Sequence, residues 1–589
     1  MTPNPVERTL QGIGVSPGVA RAPAFLLTTE DLRIVERDIG AEDIPREIAR
    51  LEEALIATRK QLREIQSRVE QALDRSSASI FDAHLLVLDD RAFIEEVVRG
   101  LDLKRKNVEF VLHSVAERFA ATLAGMEDDY LRERAADLRD VSRRLLRNLS
   151  GENRSLLAHL DHPCIIVAHD IAPSDAATLN REKVVGFVTD LGSTTSHTAI
   201  MARALEIPAV VGLHDASVRI SSGEELLLDG GQGLVLVAPS EASLKTYGQR
   251  AQAQEQVRTS LEPLRNLPAE TLDGYRIHLA ANIELPQDVD AVLRHGAAGV
   301  GLFRSEFLFL QRDTLPDEEE QTRAYTDVAR RLAPEPVIIR TMDIGGDKFV
   351  SSLKMPVELN PFMGWRAIRF SLAQPEIFLT QLRAILRASA SGNVKIMYPM
   401  ISTVDEVLRA GEFLEQAKRD LRRKGVPFDE NIESGIMIEV PSAALTARAL
   451  APHVRFFSIG TNDLIQYTLA VDRVNERIAY LYEPTHPAIL RLIKTTIDAS
   501  HEAGIWTGIC GEMAGDPTLT ALLIGLGADE LSVSPVLAPQ IKGVIRRLDF
   551  PRAEALAEQA LRVESAAQVR DMCRTLTKDV APDIFSFFQ

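Results

Sequence analysis

Apolar residues in the early part of the chain recur every three or four positions, which is the period of an amphipathic helix. Between Ala41 and Leu73, charged residues separate the apolar ones, which fall at Ile44, Ile48, Leu51, Leu55, Leu62, Ile65, Val69 and Leu73. Further helical pattern follows in residues 79–101 and 108–149, where the run DYLRERAADLRDVSRRLLRNL contains no proline. We therefore predict a helical bundle in residues 36–154, with its charges on a solvated face.

Short runs of β-branched residues, separated by glycine and proline, begin near Cys164 and indicate strands. The runs are CIIVAH, VVGFVTD, PAVVG and EELLLDGGQGLVLVAP, and the last predicts a hairpin around residues 229–233. The opening segment GIGVSPGVARAPAFLL has a strand pattern too, and we expect it to pair with this later sheet. The sequence therefore predicts an α/β domain formed by residues 1–35 and 155–238, with the helical bundle inserted between them. The polar residues 239–270 predict a linker helix.

Strand-like runs alternate with helical stretches in the rest of the chain. They are RIHLAANI, GVGLFR, PVIIRTMD, KIMYPM, GIMIEV, FFSIGTND, WTGIC and ELSVSP. Eight such units in about 300 residues fit a (β/α)8 barrel better than an open sheet. The predicted fold class is therefore multidomain α/β, with a C-terminal TIM barrel in residues 271–589.

Polar residues occupy the ends of the predicted barrel strands. At or just beyond the carboxyl end of a run lie Asn282, Arg304, Arg340, Asp343, Glu439, Asn462, Asp463 and Cys510. Active sites of such barrels form at this end, because the following loops and helix N-termini converge there. We therefore expect the active site at the carboxyl mouth of the barrel.

The composition limits the class of protein. The 589 residues include 67 Lys or Arg and 84 Asp or Glu, which gives a formal net charge of -17. An acidic chain does not offer the broad basic face that nucleic acids or anionic lipids require. No stretch reaches the roughly 18 consecutive apolar residues of a membrane-spanning helix, and the start MTPNPVERTL lacks the apolar core of a signal peptide. The separated Cys164, Cys510 and Cys573 form no disulfide framework and favour a cytoplasmic location.

The candidate site combines cations with carboxylates. Arginine binds carboxylate and phosphate oxygens in a bidentate way, and Mg2+ prefers one or two carboxylates together with substrate oxygens and water. The cations are Arg304, Arg340, Lys348 and Arg473, and the candidate metal ligands are Glu439 and Asp463. Lys348 follows Gly345 and Gly346, whose backbone amides are able to approach an anion. The mouth is therefore expected to bind a small phosphorylated acid together with Mg2+.

Cys510 lies between glycines in GICGEMAGD, at the end of the seventh predicted barrel strand. Most isolated cysteines are buried small apolar residues, and we keep that interpretation for Cys164 and Cys573. Among the cations of the mouth, we expect the thiol pKa of Cys510 to be depressed, which makes this residue a candidate acid or base.

The segment LGSTTSHTAIMARAL places His197 after a loop of small hydroxylated residues and before a predicted helix. Free backbone amides and the positive end of the helix dipole would stabilise a phosphoryl group on its imidazole. His197 is therefore the candidate for a covalent phosphohistidine. Arg203 is either a contact of that phosphoryl group or an ordinary helix-surface arginine. No GxxxxGK[ST] phosphate loop occurs, so we expect the phosphoryl donor to bind in the barrel.

These segments together resemble Enzyme I of the phosphoenolpyruvate-dependent sugar phosphotransferase system, a family of phosphoenolpyruvate-protein phosphotransferases. The resemblance covers nearly the whole chain and includes GIGVSPGVA, GSTTSHTAIMAR, GLFRSEFLF, RTMDIGGDK, NPFMGWRAIR, QLRAILRASA, FFSIGTNDLIQYTLAVDR and GICGEMAGD. It implies transfer of the phosphoryl group of phosphoenolpyruvate (PEP) to His197 Nε2 and then to the carrier HPr, releasing pyruvate at the start of sugar uptake. One departure is Ser193, where the family usually has glycine or alanine.

The resemblance also implies roles for the residues at the mouth. The residues that would hold PEP are Arg304, Arg340 and Arg473, with Asn462, Arg366 and Lys348 on its phosphate. Glu439 and Asp463 would bind Mg2+, and Cys510 would protonate the departing enolate. The α/β domain would carry the phosphohistidine, the bundle would dock HPr with residues 81–90 near that surface, and the barrel would form a homodimer.

Two other functions remain open at this point. One is a dikinase-like or PEP synthase-like activity, which would need a separate nucleotide-binding partner because the length leaves no room for an ATP-grasp domain. The other is a regulatory, nitrogen-type phosphorelay that feeds an HPr-like regulator. We expect no sensor domain ahead of GIGVSPGVA, which disfavours the regulatory function.

Overall fold

The computed structural model divides the chain into two compact units, Met1–Gln252 and Ala253–Gln589. It describes residues 7–16, 18–27, 34–72, 84–85, 87–88, 90–124, 129–150, 160, 162–171, 183–192, 202, 207–309, 314–345, 358, 360–473, 475 and 478–587. Each unit has apolar clusters of its own, and each is described separately below.

The first unit contains an eight-stranded mixed sheet. Its strands are β1 (Arg8–Gln11), β2 (Ile13–Ser16), β3 (Val19–Leu27), β4 (Cys164–Ala168), β5 (Val184–Thr189), β6 (Ala209–Val211), β7 (Glu225–Asp229) and β8 (Leu234–Val237). Their order in the sheet is β1-β8-β7-β3-β4-β5-β6-β2. As predicted, the opening segment joins the later sheet, because β3 lies parallel to β4 and antiparallel to β7. The predicted hairpin is formed by β7 and β8.

Long helices lie between β3 and β4 in the chain, so the bundle is an insertion into the sheet domain. They are Ile44–Ala72, Arg91–Lys104, Val108–Ala124 and Asp129–Ser150. Their inner faces share one apolar cluster, which includes Leu62, Leu101, Val111 and Leu145. Asp90 Oδ1 caps the second of these helices by accepting the backbone N–H groups of Ala92 at 2.8 Å and Phe93 at 3.2 Å.

A helix at Glu241–Leu261 and a 3-10 turn at Glu262–Leu264 occupy most of the segment predicted as a linker helix. The boundary between the two units falls inside this helix, between Gln252 and Ala253. Beyond the boundary, the helix belongs to the second unit, where Val257 and Leu261 pack in a small apolar cluster with Val544. A shorter helix, Ala216–Arg219, belongs to the sheet domain.

The second unit is built around a closed barrel of eight strands. They are β9 (His278–Ile283), β10 (Val300–Arg304), β11 (Val337–Arg340), β12 (Val394–Tyr398), β13 (Ser434–Ile438), β14 (Phe456–Ile459), β15 (Trp506–Ile509) and β16 (Glu530–Val533). Every neighbouring pair is parallel, including β16 with β9, which closes the ring. The predicted (β/α)8 barrel is therefore confirmed, with one strand in each predicted run.

Helices surround the barrel. They are Val289–His295, Glu318–Leu332, Ala367–Ala373, Pro375–Ala388, Val404–Lys424, Pro441–Leu445, Ala447–Leu450, Thr461–Leu469, Pro487–Glu502, Thr520–Gly525, Ala538–Ile545, Phe550–Ala560, Ala566–Val580 and Pro582–Phe587. Alternate strand residues such as Ile339 and Phe457 point outward into the large apolar cluster that these helices share. Within the described part of the chain, no helix is both long and apolar enough to cross a membrane.

Candidate active site

The alternation of side chains along the barrel strands carries polar residues to the mouth. Leu302, Ile338 and Met437 belong to the apolar cluster inside the barrel. Because successive strand residues point to opposite faces, the residue two positions further along also faces the interior. At the carboxyl end of these strands, the residues in that position are Arg304, Arg340 and Glu439. The register that fills the barrel with apolar side chains therefore also aims two arginines and a carboxylate at one site.

Arg340 is held by two buried carboxylates. Its Nη2 donates to Glu306 Oε1 and lies 3.3 Å from Asp343 Oδ2. Ser305 Oγ donates to the backbone carbonyl of Arg340 at 2.6 Å, which ties the strand end to the 3-10 turn that carries Glu306. Burial alone would lower the pKa of Arg340, but the charges of Glu306 and Asp343 raise it above its ordinary value. The guanidinium is therefore a permanent cation in a fixed position.

Arg366 is fixed by the same aspartate. Its Nη2 donates to both carboxylate oxygens of Asp343 at 2.9 Å and lies 3.3 Å from Asp463 Oδ2. Its Nη1 donates to Tyr467 Oη at 3.3 Å. Burial opposes the charge of Arg366, but Asp343 and Asp463 together raise its pKa above the ordinary value. Asp343 therefore bridges two arginines, Arg340 and Arg366.

Glu439 and Asp463 are the candidate metal ligands. Glu439 is buried, and its Oε1 accepts the backbone N–H of Met400 at 2.6 Å. Burial and the charges of Asp463 and Asp343 raise the pKa of Glu439 to about 8, although two arginines oppose the rise. A bound divalent cation would offset this repulsion, and Mg2+ prefers one or two carboxylates together with substrate oxygens, so this pair fits Mg2+. In the described residues, no group of three or more His, Cys, Asp and Glu is arranged to hold a metal.

A second set of ion pairs lies at the mouth and is more accessible than the first. Arg304 Nη1 donates to Glu284 Oε1 at 2.8 Å, and Arg473 Nη1 donates to Glu512 Oε1 at 2.8 Å. Asn462 Nδ2 donates to the same Glu512 oxygen at 3.1 Å. The mouth therefore has buried arginines paired to buried carboxylates, the partly buried pair of Arg304 with Glu284, and the exposed pair of Arg473 with Glu512.

Cys510 is buried inside the barrel, with 3% of its surface exposed. Its Sγ donates to the backbone carbonyl of Ile459 at 3.6 Å. Burial raises the pKa of the thiol to about 11, and Glu439 adds to the rise while Arg340 and Arg304 oppose it. The expected depression of this pKa is therefore wrong, because burial outweighs the cations. A thiol with this pKa stays protonated at neutral pH and suits a proton donor rather than a thiolate.

Known proteins match nearly the whole of this sequence. The PEP-binding domain of PEP-utilising enzymes matches residues 258–550, their N-terminal domain matches residues 11–134, and their mobile domain matches residues 160–233. The phosphoenolpyruvate-protein phosphotransferase of Listeria innocua is 44% identical over 574 residues, 98% of this chain and 100% of that protein. That of Haemophilus influenzae is 44% identical over 560 residues, 95% of this chain and 97% of that protein. The chain belongs to the phosphoenolpyruvate-protein phosphotransferase family.

As a member of this family, the chain is an enzyme of the transferase class. The length and identity of the matches support the phosphotransferase interpretation of the sequence. They do not support a dikinase-like activity or a regulatory phosphorelay, the two alternatives that the sequence left open.

The structure of this phosphotransferase brings several predicted site residues together at the mouth. Arg366 lies beside Asp463, and Asn462 and Arg473 meet on Glu512. The predicted residues outside the described ones are His197, Ser193, Arg203, Lys348 and part of residues 81–90. The roles of these residues remain predictions, as do the roles of the predicted site residues that the structure describes.

Two of the carboxylates that hold the arginines, Glu306 and Glu512, were not predicted from the sequence, whereas Asp343 was. Glu306 lies in GLFRSEFLF and Glu512 lies in GICGEMAGD, each two residues after a residue that was singled out. The sequence offered one signal for these two residues, which is their position shortly after a barrel strand, because the mouth of the barrel is built there.

A histidine of the sheet domain was also missed. His169 follows β4 and Asp190 follows β5, so both lie at the same edge of neighbouring parallel strands. His169 Nδ1 lies 3.1 Å from Asp190 Oδ2, and the backbone N–H of Ser217 donates to Asp190 Oδ1 at 2.8 Å. Burial opposes ionisation of Asp190, but hydrogen bonds from Ser217 and His169 lower its pKa overall. Asp190 lies two residues before Gly192. The loop that is predicted to carry His197 begins at Gly192.

Proposed function

We propose that the chain transfers the phosphoryl group of PEP to its own His197 and then to a histidine of the carrier HPr, releasing pyruvate as the first step of sugar uptake. The observation that supports this most strongly is the set of buried arginines at the barrel mouth, fixed by Glu306 and Asp343 near the buried thiol of Cys510. Fixed cations favour a small, highly charged anion because they need no reorganisation when it binds.

Each domain has its own part in the proposed phosphoryl transfer. We assign residues 1–35 and 155–238 to the phosphohistidine domain, 36–154 to HPr binding, 239–270 to the linker and 271–589 to PEP binding and dimerisation. One phosphohistidine domain has to visit both PEP and HPr, and the proposed pivot is the stretch of residues 239–270, which contains the helix Glu241–Leu261. The resemblance to Enzyme I supports a homodimer that forms through the barrel, and the separated cysteines support a cytoplasmic location.

PEP is held at the mouth by its two anionic groups. Arg340, Arg304 and Arg473 contact the substrate, and Asn462, Arg366 and Lys348 contact its phosphate. Buried guanidiniums that keep their charge and position lower the cost of gathering these donors around the transferring group. Glu439 and Asp463 would hold Mg2+, which supplies further neutralisation of phosphate charge when bound.

His197 Nε2 attacks the phosphorus in line with the bond to the enol oxygen. The N–P bond forms as the P–O bond breaks, and the electron pair of that bond leaves with the enolate. The thiol of Cys510 gives its proton to the methylene carbon of the enolate, which yields pyruvate, and solvent restores the thiol proton. The HPr histidine then attacks the phosphohistidine and takes the phosphoryl group.

The test follows label from PEP. The purified chain is incubated with radiolabelled PEP, Mg2+ and candidate HPr proteins, and labelled peptides are mapped. We expect acid-labile, base-stable label on His197 that moves to one carrier. Label on another residue, or a carrier that stays unlabelled, would overturn the proposal. ATP consumption coupled to PEP formation from pyruvate is expected to be absent.

Replacing Cys510 by alanine is expected to slow pyruvate formation by about a hundredfold or more, because the enolate loses its proton donor. Pyruvate release is measured with lactate dehydrogenase. Cys573→Ala is the matched control, since Cys573 is buried in the outer helix Ala566–Val580 and its loss removes a thiol without touching the mouth. Unchanged pyruvate formation in Cys510→Ala would assign the proton donor elsewhere.

Replacing Glu439 by glutamine is expected to raise the Mg2+ concentration for half-maximal turnover by about tenfold or more, because one anionic ligand is lost. The control is Glu433→Gln at the opposite end of β13, where Glu433 Oε2 accepts from Lys395 Nζ at 2.6 Å. Titration of turnover with Mg2+ compares the two variants. Equal Mg2+ dependence in Glu439→Gln and the unmodified chain would refute the ligand assignment.

A further inference from the structure

The ion pairs at the mouth differ sharply in exposure. In the Arg340–Glu306 pair the side chains are 7% and 0% exposed, whereas in the Arg473–Glu512 pair they are 39% and 72% exposed. Separating a buried pair strands a charge in a poorly solvated place, while an exposed pair opens at little cost because water replaces the partner. Arg473 is therefore able to exchange its carboxylate for another anion, and Arg340 is not.

One carboxylate oxygen of Glu512 accepts hydrogen bonds from both Arg473 and Asn462. Arg473 Nη1 donates to Glu512 Oε1 at 2.8 Å, and Asn462 Nδ2 donates to the same atom at 3.1 Å. A phosphate oxygen accepts hydrogen bonds from a guanidinium and an amide in the same way as a carboxylate oxygen. The proposed function places these two donors on PEP, so Glu512 and the substrate would compete for them.

The backbone around Glu512 is fixed independently of this side chain. Its own N–H donates to Asn462 Oδ1 at 2.8 Å, which orients the amide. Gly511 packs so closely on Thr461 that a Cβ at residue 511 would lie 1.8 Å from Thr461 Oγ1. Only the Glu512 side chain therefore has to swing away, and Asn462 keeps its orientation when it does.

We propose that Glu512 is a competing anion built into the mouth, which holds Arg473 and Asn462 until the phosphate of PEP takes them. This inference rests on the proposed function. Glu512 lowers the affinity for PEP, because its charge repels the phosphate and its contacts have to be given up. After phosphoryl transfer, the product has no phosphate, and Glu512 recovers both donors.

The experiment measures PEP binding where PEP is not consumed. Titration calorimetry with Mg2+ compares the His197→Ala chain with the same chain carrying Glu512→Gln. We expect glutamine to lower the Kd for PEP by about threefold to tenfold, since the side chain keeps its size and loses its charge. Glu502→Gln is the matched control, because Glu502 pairs with Arg448 at 2.8 and 2.9 Å on outer helices and is also exposed. Its Kd is expected to stay unchanged.

Kinetics with His197 intact separate competition from positioning. A competing anion predicts that Glu512→Gln lowers the KM for PEP without raising kcat. If Glu512 instead positioned Arg473 for catalysis, the variant would bind PEP more weakly and kcat would fall, and either result would overturn the inference. An unchanged Kd would overturn it as well. Absence of PEP binding in the His197→Ala chain would instead count against the proposed function itself.

Discussion

His197→Ala is expected to take no label from PEP and to pass none to HPr. The imidazole is the group that forms the N–P bond, and the hydroxyls of the neighbouring Thr195 and Ser196 are weak nucleophiles at their ordinary pKa. PEP binding is expected to be retained, because the proposed PEP ligands belong to the second compact unit, Ala253–Gln589. Autoradiography after incubation with labelled PEP measures the first effect, and titration calorimetry measures the second.

His453→Ala is the control for this loss. His453 is exposed at the end of a 3-10 turn on the outside of the barrel, away from the strand ends that form the mouth. Its replacement removes an imidazole without changing the expected phosphoryl acceptor, so labelling should equal that of the unmodified chain. Label on the His197→Ala chain would show that another residue accepts the phosphoryl group.

The barrel was predictable because its strands are buried on both faces. Parallel strands packed between an interior and a layer of helices read as short continuous apolar runs, such as PVIIR and GIMIE, bounded by loops. β11 and β13 coincide with these runs. Arg340 and Glu439, which end these two runs, were visible in the sequence for the same reason, since each interrupts an apolar stretch.

The first strand was not predictable from its pattern. β1 is the run RTLQ, in which only Leu10 is buried, and it pairs antiparallel with β8 from the far end of the domain. A short polar run at a sheet edge has no alternation to detect. Its pairing depends on a partner more than two hundred residues away, which the local sequence does not contain.

The electrostatics of the site were harder to predict than its location. The sequence showed cations near Cys510, but the direction of the thiol pKa depends on burial, and the residue is 3% exposed. Asp343 could be placed at the mouth from its position after a strand. Its contact with both Arg340 and Arg366 joins two arginines that are far apart in the sequence, so the shared carboxylate is visible only in three dimensions.

Arg340→Gln is expected to reduce PEP turnover on the order of a thousandfold, because a fixed cation aimed at the transferring group is lost. The same change is expected to lower the free energy of unfolding of the barrel by about 3–5 kcal/mol. The reason is that Glu306, which is fully buried, keeps its charge but loses the guanidinium that Arg340 provides. Turnover is measured by pyruvate release, and unfolding by urea denaturation.

Glu306→Gln in the Arg340→Gln background separates the two effects. With both charges removed, no buried ion is left without its partner, and we expect much of the lost stability to return. Turnover is expected to stay at the level of Arg340→Gln, because a neutral amide at residue 340 does not replace the cation on the substrate. A double variant that recovered turnover together with stability would mean that Arg340 only supports the fold of the mouth. Recovery of stability alone assigns its charge to the reaction.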